Sequence, residues 1–90
     1  MSNSIAIDKL SNGSVWSFRP TCGKAARTMR KLFPDALWSR YGGCMLVEHR
    51  YEVGVAQRLA EHGLGLVRET DGVAVFVVGG RFVVNAEVES

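Results

Sequence analysis

Two cysteines and two prolines in ninety residues leave no material for a disulfide framework or a proline-rich linker. Apolar stretches are short: none approaches the ~20 residues that span a bilayer. The N-terminal run MSNSIAIDKL has neither the basic opening nor the long apolar centre of a secretory signal, so a cytoplasmic location is the expectation. Ten glycines are too few for a collagen-like or low-complexity chain, and 47% hydrophobic against 22% charged residues is too apolar for a disordered one. What remains is a single small globular domain over residues 1–90. At this size folding buries roughly 60 to 65% of the unfolded surface, enough for one modest core. A deep substrate cavity is therefore not expected, and a binding or interaction module is.

Catalytic and cofactor signatures are equally sparse. Cys22 is the one nucleophile with a hint of activation, because it lies near the start of a basic helix whose dipole and Lys24 would favour thiolate. It also opens the apolar stripe of that helix, and a buried thiol behaves as a small hydrophobe. Cys22, Cys44, His49 and His62 follow the spacing C-x21-C-x4-H-x12-H, without the close cysteine pair of structural zinc sites. A phosphate loop ending at Gly23-Lys24 would need glycine at position 18 and serine or threonine at position 25, where Phe18 and Ala25 stand. Gly63-Leu64-Gly65 lacks the third glycine of a dinucleotide fingerprint. Asp8, Asp35 and Glu48 are isolated, so no carboxylate pair is available for acid and base work. No enzymatic activity, no catalytic residue, no metal and no cofactor are expected.

What the chain does have is an uneven distribution of charge. Residues 1–50 carry eight Lys and Arg against three acids, a balance of +5, and residues 51–90 carry three against six, a balance of −3. Arg19, Lys24, Arg27, Arg30 and Lys31 follow one another with no acid between them. Such a split presents one basic surface that the net charge of +2 conceals.

Turn signals divide the chain. Asn12-Gly13, Gly42-Gly43, Asp71-Gly72 and Gly79-Gly80 each lie between runs of β-branched and aromatic residues, and each suits a two-residue hairpin turn with positive φ. Between Thr21 and Phe33 the apolar positions Cys22, Ala25, Ala26, Met29, Leu32 and Phe33 trace a helical stripe, with Thr21 as the expected N-cap and Pro34 as the stop. A second helix is expected from about Tyr51 to His62, burying Val55, Ala56, Leu59 and Ala60, with Gly63 capping its end and Leu64 folding back. The order is hairpin, helix, hairpin, helix and three-stranded meander, ββαββαβββ. The expected fold is α+β, a mostly antiparallel sheet with both helices on one face. Trp38 is expected in the core, paired across the Gly42-Gly43 turn with Val47 beside Met45. Val73 to Val78 is apolar on both sides, so a partner subunit or the N-terminal hairpin is expected to cover its second face.

Lys24, Arg27 and Lys31, at i, i+3 and i+7, share the helix face opposite the apolar stripe, with Arg30 at its flank. A row of cations about 5 Å apart on a rigid element can follow a phosphate backbone. Trp16, Phe18, Trp38 and Tyr41 are the aromatic groups that could add stacking. The expected contact set is Arg19, Lys24, Arg27, Arg30, Lys31, Arg40 and Tyr41.

From Phe33-Pro34-Asp35-Ala36-Leu37-Trp38 onward the chain resembles the HARP-type module of annealing helicases. The shared pattern is a helix, a short strand with a tryptophan (Trp38), a turn (Tyr41 to Gly43), a strand with valine (Val47), and a helix rich in Ala and Leu, Ala56 to Gly63. The resemblance covers about residues 15–64. Ser39-Arg40 replaces the acidic and charged residues usual after the tryptophan, and the C-terminal meander has no counterpart. The resemblance implies a non-catalytic module that handles branched or single-stranded nucleic acid. The leading expectation is thus a nucleic-acid-binding accessory module. The alternative is a small phage- or host-encoded inhibitor or adaptor, such as an anti-defence protein, that docks to a partner protein and self-associates through the apolar meander.

Overall fold

The computed structural model describes residues 4–10, 14–39 and 43–84. In chain order these form β1 (Ser4–Lys9), β2 (Val15–Pro20), α1 (Gly23–Leu32), β3 (Leu37–Trp38), β4 (Met45–Glu48), a 3-10 turn (His49–Tyr51), α2 (Glu52–Glu61), β5 (Gly65–Arg68), β6 (Ala74–Val78) and β7 (Arg81–Val84). The α+β class and the ββαββαβββ order are as expected.

The strands make one sheet in the order β3-β4-β2-β1-β5-β6-β7, with β3 and β7 as its edges. It is mixed, which corrects the mostly antiparallel expectation: β1 runs parallel to β5, with Ile5 opposite Leu66 and Ile7 opposite Arg68. The cause is α2. It leaves β4, passes over β2 and β1, and delivers β5 to the far side of β1 in the direction of β4. Such a connection must return parallel, because a helix crossover brings the chain back to the end where it started.

Alternation along the paired registers sorts the side chains. Ile5, Ile7, Phe18, Met45, Val47, Leu66 and Val75 share one face and join Ala25 and Met29 of α1 and Ala56 and Leu59 of α2 in a single buried cluster. Both helices therefore pack on this face. Phe18, Ile5, Met29 and Leu59 are wholly inaccessible to solvent. The sheet also curls: the Phe82 ring of β7 meets the Trp16 ring of β2 at 5.5 Å between centroids, across three intervening strands. Beneath that contact lies a cavity of about 240 Å³ lined chiefly by Ile7, Trp16, Val75, Phe82 and Val84.

Helix ends and turns differ in detail from expectation. Thr21 does not cap α1. Its hydroxyl donates to the Ser4 carbonyl at 2.8 Å, tying the end of β2 to β1, and Cys22 takes the N-cap position without a side-chain cap bond. At the end of α2, Gly63 adopts φ +83° while its N–H and that of Leu64 bond back to Ala60 and Leu59, the capping expected there. Gly79 and Gly80, at φ +61° and +78°, form the expected two-residue turn between Val78 and Arg81. Gly72 instead ends a four-residue loop, since Arg68 N–H bonds to the Val73 carbonyl. Between β3 and β4, Ser39 N–H bonds to Cys44 C=O, which also makes a four-residue loop. The longer loop slides the pairing by two positions, so that Trp38 lies opposite Met45 and not Val47. An even shift keeps Trp38 on its intended face. Residues 40–42 of this loop, the Asn12-Gly13 turn and residues 85–90 lie outside the described residues.

On this packing, Phe18→Ala is expected to lower unfolding free energy by about 3–5 kcal/mol. Leu37→Ala, on a side chain 68% exposed, should stay within about 0.5 kcal/mol. Urea denaturation of the two variants beside the parent chain checks both.

Candidate nucleic-acid interface

The outward face of α1 forms because its inward face is so well defined. Ala25 and Met29 are buried, Cys22, Leu32 and Phe33 pack beside them, and at 100° per residue Lys24, Arg27 and Lys31 are then turned to solvent. Thr28 lies between them and donates its hydroxyl to the Lys24 carbonyl at 3.0 Å, which removes it as a competing polar contact. Among the described residues, no carboxylate lies within ion-pair distance of Lys24, Arg27, Arg30 or Lys31. Arg30 and Lys31 occupy the last turn, where the helix dipole favours cations.

Arg30 is held differently from its neighbours. Its guanidinium lies 4.1 Å from the centroid of the Trp38 ring, a cation–π contact across the short loop that joins α1 to β3. The stack fixes the direction of one cation and covers one face of the indole. Trp38 is half-buried and does not offer that face to a base. The other aromatic groups expected to stack are engaged too: Phe18 is in the core and Trp16 packs on Phe82. Tyr41, like Arg40, lies outside the described residues.

Arg19 does not join the helix cations. Strand alternation places it on the helix-free face of the sheet, where it crosses Ala6 to make two hydrogen bonds to Glu69, at 3.0 and 2.9 Å. The pair covers Ala6, which is 3% exposed although it lies outside the helix-covered core. The bonded Arg19 guanidinium holds the Glu69 carboxyl below its ordinary value, and Glu69 raises that of Arg19 in return. Sequence reasoning missed this pair, since the parallel placement of β5 is what brings position 69 near position 19. Arg68 likewise makes a forked bond to Asp71, lowering the carboxyl there, aided by the Val73 N–H.

The thiols and imidazoles are dispersed. Cys22 and Cys44 are half-buried, and burial pushes the Cys44 thiol up from its ordinary value. Among the described residues, no three of the His, Cys, Asp and Glu side chains converge on one point, and no helix is long and apolar enough to cross a membrane.

Two outcomes are expected from these contacts. Arg30→Ala should destabilise the fold by about 0.5–1 kcal/mol through loss of the indole stack, while Lys31→Ala changes it by less than about 0.5 kcal/mol; thermal unfolding separates them. The second concerns acid. The Glu69 carboxyl binds its proton more weakly in the folded than in the unfolded chain, so the bridge favours folding above about pH 4.5 and loses that effect as pH falls through the lower folded value. Glu69→Gln should therefore show a shallower fall of Tm between about pH 5 and pH 2 than the parent. An equally steep fall would show that the bridge contributes nothing.

Comparison with known protein families, characterised proteins and solved structures gives no match to this chain.

Proposed function

We propose that this protein is a non-enzymatic nucleic-acid-binding module that contacts phosphates through the solvent face of α1. The observation that carries this reading is the set Lys24, Arg27 and Lys31, aligned on one rigid face with no carboxylate near them among the described residues. By contrast Arg19, Arg50 and Arg68 are each matched to an acid. Arg30, stacked and directed by Trp38, is the flanking fourth contact. An aligned row of unmatched cations is what releases counterions from a polyanion. The resemblance of residues 15–64 to the HARP-type module leads to the same expectation. Arg19 is left out of the proposed contact set, because it is committed to Glu69 on the opposite face.

Four phosphate contacts predict a modest, strongly salt-dependent affinity. The logarithm of the binding constant should fall against the logarithm of salt with a slope of about −3.6 on duplex DNA or about −2.8 on a single strand. Lys24→Glu combined with Arg27→Glu should weaken binding by at least about tenfold and flatten the duplex slope by about 1.8. Fluorescence anisotropy of a labelled oligonucleotide at several salt concentrations measures both. Absence of binding at low salt, or an unchanged slope in the double variant, refutes the reading.

A further inference from the structure

A second binding feature lies at the other half of the sheet, where β6 outruns its neighbour. Leu66 is paired with Val75, and Arg68 N–H donates to the Val73 carbonyl at 2.8 Å. Hydrogen-bonded pairs recur every second residue along an antiparallel ladder, so the next exchange would join Leu64 to Val77. Leu64 does not make it. Its N–H donates to the Leu59 carbonyl at 3.2 Å, closing α2, and draws the chain away from β6. Yet β6 continues to Val78, held on its far side by β7 through Phe76 opposite Val83 and Val78 opposite Arg81. The N–H and C=O of Val77 therefore face the side that β5 has vacated. Among the described residues no backbone group pairs with them.

That vacated side is a groove. A cavity of about 1010 Å³ runs between the end of α2 and β6, bounded by Ala60, Glu61, Leu64, Gly65, Val77 and Val78. Its walls are mainly apolar, and Glu61 is the one charged residue in its lining. Gly65, without a side chain, keeps the entrance open: a Cβ there would meet only that of Ser4, at an ordinary 3.9 Å. On the helix-free side, Phe76 and Val78 are 48% and 57% exposed.

We propose that this groove takes an extended peptide segment of a partner protein, laid beside β6 as an additional strand. The segment supplies both an acceptor and a donor to Val77, sets apolar side chains alternately against the two sides of the notch, and ends in a basic residue beside Glu61. Main-chain pairing gives affinity in this mode and the pockets for alternate side chains give selectivity. An unpaired donor and acceptor on one residue, at strand spacing, select an extended backbone as the occupant. Glu61 selects its charge. The site is independent of the α1 cations, so its failure and theirs are separable.

The test uses the full ¹⁵N-labelled chain and an acetylated, amidated hexapeptide that alternates valine and threonine and ends in lysine. Saturation should slow hydrogen exchange at the Val77 amide by at least about tenfold. N-methylation of the central valine should abolish the protection, and a terminal glutamate in place of lysine should weaken binding about three- to tenfold. Gly65→Ala adds a Cβ at the entrance that meets Ser4 only at an ordinary 3.9 Å, and should weaken binding while leaving Tm close to that of the parent. A Val77 amide that is unchanged at millimolar peptide, or already protected in dilute protein without it, overturns the proposal. Protection that rises with protein concentration alone also overturns it, since the occupant would then be a second copy.

Discussion

The parallel ladder between β1 and β5 holds the molecule together. On one side of it lie β2, β4 and β3 with α1; on the other lies the meander β5-β6-β7. Ser4 to Ile7 are buried on both faces, Ile5 and Ile7 under the helices and Ala6 under the Arg19–Glu69 bridge. Parallel pairing is slightly weaker per residue than antiparallel pairing, and here it is reinforced from both sides. Ala56 and Leu59 of α2 clamp it from one face, and the bridge straps it from the other. Apart from that ladder, the two halves are joined among the described residues by α2, the Arg19–Glu69 bridge and the Trp16–Phe82 contact.

The same ladder marks the boundary between the two charge regimes. Residues through position 50 build the half that carries α1, with a balance of +5, and the remainder build α2 and the meander, with −3. Because the halves share one sheet, α1 with its cations packs beside β2 while the acids of the meander lie beyond β1 and β5, and α2 carries residues of the second half back over the first. Among the described residues Arg19 of the first half bridges to Glu69 of the second on the face without helices, and His49 lies 3.3 Å from Glu52 where the two halves meet in sequence. The α1 cations thus stand without carboxylate partners among the described residues, while the acidic half carries a separate apolar groove.

Much of this was legible from residue order. The 3.6-residue stripe of α1, the stop at Pro34, the cap at Gly63 and the Gly79-Gly80 turn are local features, fixed by side-chain periodicity and backbone sterics over a few residues. The solvent position of Lys24, Arg27 and Lys31 follows from the same stripe. Long-range placement was not legible. Nothing in Ser4-Ile-Ala-Ile announces a central strand, because its burial on the second face depends on a bridge between positions fifty residues apart. Loop length was equally hidden: two glycines at 42 and 43 suggest the tightest turn, while the backbone bond from Ser39 to Cys44 spans two residues more. That difference moved the partner of Trp38 and brought its ring under Arg30, a contact invisible in a helical wheel.

The inequality of the two sheet edges limits how copies of this chain can assemble. Addition of one sheet to the next requires every molecule to offer two usable edges, one to give and one to receive. Among the described residues β3 contributes only Leu37 and Trp38, while β7 contributes four. A two-residue edge exposes too little backbone to propagate a ladder, so it terminates growth in that direction. Joining through the longer edge can relate two molecules by a two-fold axis and then has no further edge to extend. The fold is in this sense self-limiting: a sheet of seven strands with one long edge and one blunt edge would stop any edge-to-edge pairing at a closed pair.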